Sequence, residues 1–233
     1  MPHALRQPPR GHGGHVALWV LLATLLLLAV AMLIPVERRI DPSDFPWSAT
    51  PTGDGGSRVF GLTLGQSTLR EAEQRFQEPA EISLFLSPDG HYAAEAYFDK
   101  VNLAGLGARI VLTAGLSQEE LKALFEAGER ISTLGDGTRK VTLSGEALAA
   151  VYSAPIATLT YLPRIQLDRT LLEKRFGPPA ERLREQESGV EHWLYPERGL
   201  DIALSEREKE VLQFVPPRDF ERLVAPLRST GEK

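Results

Sequence analysis

The residues from which chemistry could be built in this 233-residue chain are five histidines, a scatter of carboxylates and hydroxyls, and no cysteine. The missing cysteine removes thiolate nucleophiles, thiolate metal sites and disulfides. GHGGH at 11–15 holds imidazoles without a nearby carboxylate, which reads as a solvated tail rather than a metal site. The richest acid–base grouping is EHWLYPERGLD, residues 191–201. There His192, Glu191, Asp201 and Trp193 supply a base, orienting carboxylates and an aromatic wall, the parts of a hydrolase site. Consecutive strand residues point to opposite faces, however, so His192 and Trp193 share a pocket only across a bulge. A partly buried strand histidine is the simpler reading. Ser144 lacks a Gly-x-Ser-x-Gly elbow and reads as a turn or helix cap. NLAGLGAR at 102–109 lacks the Lys-Ser/Thr of a phosphate loop and reads as a hairpin turn. No catalytic, cofactor-binding or metal-ligating residue is assigned, and the chain is expected not to be an enzyme.

The elements that must position these residues are marked by a repeat. RFQEPAE at 75–81 returns 100 residues later as RFGPPAE at 175–181. Thr68 and Glu71 have capping-box spacing, and Leu69, Ala72 and Phe76 fall on one helical face. Asp168 as N-cap with Leu172 and Phe176 repeats the pattern, and the prolines stop both helices. Strand-like runs come after each: ISLFL, HYAAEAYF and ARIVL after the first, VEHWLY, LDIAL and VLQFV after the second. Arg75 and Arg175 complement a helix C-terminus and cover apolar surface. A further helix is expected over 117–131, and strand, short helix and strand over 139–162.

Residues 16–36 form an apolar run free of charge, and about 20 residues at about 1.5 Å each span the roughly 30 Å hydrocarbon core. A transmembrane helix is therefore expected there. Ala29-Val30-Ala31 leaves a cleaved secretory signal as the rival, and either one exports the C-terminal remainder of the chain. Residues 41–57, rich in Pro, Gly, Ser and Asp, read as a stalk, with Phe45 and Trp47 against the membrane surface or the folded part. The net charge of −5, with no basic stripe, speaks against nucleic acid.

Phe176, Gly177 and Pro179, then Trp193 and Tyr195, then Gly199, Leu200 and Leu204, then Val211 resemble the SmpA/BamE outer-membrane lipoprotein unit. That unit belongs to the group with the fold of β-lactamase inhibitor protein. The likeness is strongest over 165–215 and implies a helix-on-sheet module that acts through protein contacts. The chain departs from it in lacking a lipid-accepting cysteine and in having two units.

The expected fold is α+β, with a single N-terminal transmembrane helix followed by two tandem units of a helix plus a three-stranded antiparallel sheet. The expected boundaries are a cytoplasmic tail at 1–15, the span at 16–36, a linker at 37–57, units at 58–135 and 156–228, and a connector at 136–155. The expected function is that of a non-enzymatic binding or scaffold protein of the bacterial cell envelope. It would be anchored in the inner membrane through 16–36, with its C-terminal part in the periplasm and an envelope protein as partner. The alternative is an envelope hydrolase with a site near His192.

Overall fold

Thr68 and Ser117 each close a capping box: the hydroxyl accepts from the N–H of Glu71 or Glu120, whose carboxylate accepts the cap's own N–H. These caps start α1 (Leu69–Phe76) and α2 (Gln118–Glu126). Helix α3 covers Gly145–Ser153, and α4 (Arg169–Phe176) starts at Asp168, whose side chain accepts from Leu171 N–H. The last helix is α5 (Phe220–Gly231). Both copies of the repeated phrase end a helix on a residue of positive φ, the left-handed Gln77 (φ 52, ψ 33) in one and Gly177 (φ 78, ψ −175), a conformation open to glycine, in the other.

The structure is a computed structural model that describes residues 23–25, 27, 41–205 and 207–231. Of the predicted span 16–36, residues 23–25 and 27 are helical; the rest of it, like the tail at 1–15, lies outside the described residues. Among the described residues no helix is long and apolar enough to cross a membrane. The longest named helix, α5, has 12 residues, about 18 Å at the helical rise, against a hydrocarbon core of about 30 Å. On that finding the reading of a single-pass inner-membrane protein is corrected.

The strands are β1 (Thr50–Pro51), β2 (Ser57–Val59), β3 (Leu62–Thr63), β4 (Glu81–Leu86), β5 (Tyr92–Leu103), β6 (Leu106–Ala114) and β7 (Arg130–Thr133). They continue with β8 (Arg139–Thr142), β9 (Ile156–Pro163), β10 (Glu181–Arg184), β11 (Glu191–Tyr195), β12 (Leu200–Leu204) and β13 (Val211–Phe214). Strands β1 to β3 make a small sheet, and the other ten form one antiparallel sheet in the order β10-β11-β12-β13-β9-β6-β5-β4-β8-β7. The expectation of two tandem three-stranded units is thereby corrected. Strand β9 is the reason: Leu159 pairs with Phe214 on one side and Leu112 on the other, so both meanders zip onto it. An edge left open there would expose unpaired backbone groups, and continuing the ladder satisfies them. Helix α2 also stops at Glu126, and Ile131, expected within it, lies on edge strand β7.

One side of the large sheet is roofed. Phe76 of α1 meets Phe98 edge-on at 5.1 Å, Phe125 of α2 meets Tyr92 at 5.4 Å, and Phe176 of α4 meets Tyr195 at 5.9 Å. Phe60, beside the small sheet, packs on Tyr161 and Phe214. The register puts all these strand residues on one face, because directly paired residues project to the same side, Tyr195 joining the row through Leu200 and Phe214. The stretch read as a stalk folds onto this body: Pro42–Asp44 and Pro46–Ser48 are short 3-10 turns, and Phe45 stacks on Trp47 at 4.9 Å. Trp47 packs against the main core. Both arginines of the repeated phrase hold this stretch, Arg75 by pairing with Asp44 and donating to the Phe60 carbonyl, Arg175 by lying over the Trp47 ring at 4.8 Å.

Candidate functional site

On the opposite side of the sheet, alternation does the positioning. Strands β5, β6 and β9 alternate buried with half-buried residues along most of their length, as expected where one face is packed and the other meets solvent. Tyr97, Val111, Thr160 and Gln213 form one row across β5, β6, β9 and β13, and Glu95, Thr113 and Thr158 form the next. All seven are half-buried. Helix α5 covers this side only at the β10–β12 end, where Phe220 and Val224 pack with Leu194 and Val215. Within 41–231, α1, α2 and α4 place Phe76, Phe125 and Phe176 on the opposite side of the sheet.

Two hollows of opposite character mark this open face. Over β4 and β5 lies one of about 220 Å³, lined by Glu81, Ser83, Phe85, Glu95, Tyr97, Val111 and Lys140. Lys140 Nζ donates to Glu81 at 2.7 Å and stands 5.9 Å from the centre of the Phe85 ring. Among the described residues Glu95 has no hydrogen-bond or ion-pair partner, and burial pushes its carboxyl above the ordinary glutamate value. Near the other end, about 370 Å³ is lined by Arg109, Leu162, Pro163, Arg164, Lys209 and Glu210. Asp99 lies 3.5 Å from Arg109 and 3.3 Å from Arg164, and Lys209 donates to the Arg164 carbonyl. The Glu210 carboxylate accepts from the Leu167 N–H; Arg109, Arg164 and Lys209 outnumber Glu210 and Asp99, which leaves this hollow cationic in character.

The His192 grouping is resolved by the same register. His192 opposes Ala203 while Asp201 opposes Leu194, which makes His192 and Asp201 diagonal neighbours on one face. The imidazole Nδ1 lies 2.8 Å from Asp201, and Nε2 lies 3.3 Å from Glu185, a partner that sequence reading did not name. Burial, the largest single influence, disfavours the charged ring, but the hydrogen bonds and charges of Asp201 and Glu185 outweigh it and the pKa is raised. Glu191 and Trp193 project to the opposite side, where Trp193 Nε1 donates to Glu191 at 2.7 Å and Arg169 donates to Glu191 at 2.8 Å. His192 is 7 % exposed and Asp201 4 %, and His192 lines neither hollow of the open face.

The remaining sequence candidates have structural duties. Ser144 is the N-cap residue of α3 and its hydroxyl donates to Glu129. Residues 102–109 form a hairpin through left-handed Ala104 and Gly105, with Asn102 accepting from Gly105 N–H. His91 is exposed beside the Ser87–Gly90 turn. GHGGH lies outside the described residues. Glu81 and Glu181 of the repeated phrase pair with Lys140 and Arg228. Among the described residues no cluster of three or more His, Cys, Asp or Glu has a metal-binding arrangement.

Comparison with protein-family models, with curated proteins and with solved structures returns no match. The resemblance to the SmpA/BamE unit therefore rests on the matching residues between Phe176 and Val211 alone.

Proposed function

We propose that the chain is a non-enzymatic protein-binding module whose binding surface is the open face of the ten-stranded sheet. The observation that carries this is the row Tyr97, Val111, Thr160 and Gln213, half-buried in the middle of a sheet whose other side is packed along these same strands. A mixed apolar and hydroxyl surface, flanked by one hollow with an unpaired carboxylate and one with three cations, suits a protein partner of complementary charge and fixes its orientation. The chain's net charge of −5 disfavours a polyanion such as nucleic acid. A catalytic His192 is disfavoured because both ring nitrogens already face carboxylates and the ring is buried.

Photo-crosslinking side chains placed at Thr160 and Gln213 should yield the same adduct in native extracts, and Thr160→Arg should abolish it while preserving the circular dichroism spectrum. Adducts arising only from the helix-covered side, for instance from Lys122, would count against this function.

A further inference from the structure

The hollow over β4 and β5 already shows what it can hold. Its floor is the Ser83↔Glu95 pair, and its walls include Phe85 and Tyr97, the latter two residues along β5 from Glu95 and on the same face. Carboxylates combined with aromatic faces attract organic cations, through ion pairing and through the negative ring faces. Lys140 is an internal instance, its ammonium beside Phe85 and bonded to Glu81. That bond occupies one carboxylate and leaves the other, Glu95, without a counter-ion. A half-buried carboxylate loses hydration without compensation unless a partner supplies the charge.

We propose that this hollow receives one cationic side chain, a lysine ammonium or an arginine guanidinium, presented by the protein that occupies the open face. The proposal rests on the reading of that face as a protein-binding surface, and it names the partner's chemistry: an exposed basic residue set in an otherwise apolar or hydroxyl-bearing surface. The cation would meet Glu95 and the faces of Phe85 and Tyr97. Its neutral counterpart would leave Glu95 dehydrated and unpaired, so discrimination against an uncharged side chain comes from the same geometry. The shared chemistry of lysine and arginine is separated by experiment, since a guanidinium stacks on a ring more readily than an ammonium.

The test uses the full chain and three capped tripeptides, acetyl-Ala-Lys-Ala-amide, acetyl-Ala-Arg-Ala-amide and the uncharged acetyl-Ala-norleucine-Ala-amide, followed by side-chain NMR. The expected result is a saturable shift of the Glu95 carboxyl and Tyr97 ring signals at millimolar concentrations of a basic peptide and none with norleucine. Glu95→Gln should weaken binding by about 10-fold or more, whereas Glu81→Gln, at the carboxylate already paired with Lys140, should weaken it by less than about 3-fold. Glu95→Gln removes a dehydrated charge and retains the shape of the side chain, so the variant is expected to fold. Equal shifts with norleucine, no saturation with either basic peptide, or unchanged binding in Glu95→Gln would each overturn the proposal. The two readings fail separately. If Thr160→Arg leaves the crosslinked partner bound while the peptides behave as expected, the hollow is a cation receptor and the open-face function is wrong. If Thr160→Arg releases the partner but Glu95→Gln changes neither partner nor peptide binding, only the cation proposal fails.

Discussion

At the scale of the residue, the molecule contrasts two ionisable groups on one side of one sheet. His192 is buried with carboxylates at both nitrogens, and Glu95 is half-buried with none. Because the folded-state pKa of His192 is raised, its contribution to stability is fully present below the ordinary histidine value of 6.5 and is lost as pH rises through the folded value. The urea midpoint of the wild type is therefore expected to fall across that window. The gap between wild type and His192→Gln should be about 2–4 kcal/mol near pH 5.5 and should narrow at higher pH. A gap independent of pH would show that folding leaves the ring's pKa unshifted, and a wild type that loses stability relative to the variant as pH falls through 6.5 would show that the ring is held neutral. The two nitrogens and the diagonal Asp201 were partly legible: the grouping of His192 with Asp201 was visible in EHWLYPERGLD. Glu185 was not visible, because it enters only through the hairpin pairing of β10 with β11.

At the scale of the element, the two copies of the repeated phrase both close their helices on a residue of positive φ, but with different residues and different ψ, 33° at Gln77 and −175° at Gly177. Gln77 adopts φ 52 where its counterpart Gly177 adopts φ 78. A side chain in the left-handed region costs more than glycine does, so Gln77→Gly should stabilise the fold by about 0.5–1 kcal/mol. A rise in the thermal midpoint checks this, and a fall would mean that the Gln77 side chain contributes more than its backbone costs. These helix ends were legible in sequence because caps and stops are local: Thr68, Ser117 and Asp168 bond groups three residues away. Strand β7 was not, since Ile131 continues an apolar spacing that suits a helix and becomes strand only through its pairing with Val141 of β8.

At the scale of the whole molecule, the continuous sheet makes one unit of what the repeat divides into two. Residues from Asp41 onward cluster together, and β9 pairs with a strand from each half. Urea unfolding followed by tryptophan fluorescence, with Trp193 fully buried in the second half, is expected to coincide with far-UV circular dichroism of the whole sheet. Two separated transitions would show that the halves fold independently. The sequence by itself determined that Thr68, Ser117 and Asp168 start helices, that the repeated phrase ends two of them, and that Phe76 and Phe176 lie on corresponding helical faces, because each depends on contacts within a few residues or on a period of about 3.6. Only the tertiary structure decided that the meanders join through β9, that one side of the sheet stays open, and that Glu95, Phe85 and Tyr97 gather in one hollow. Alternation tells a strand which of its residues share a face, and says nothing of which strand lies beside it or what covers the other side.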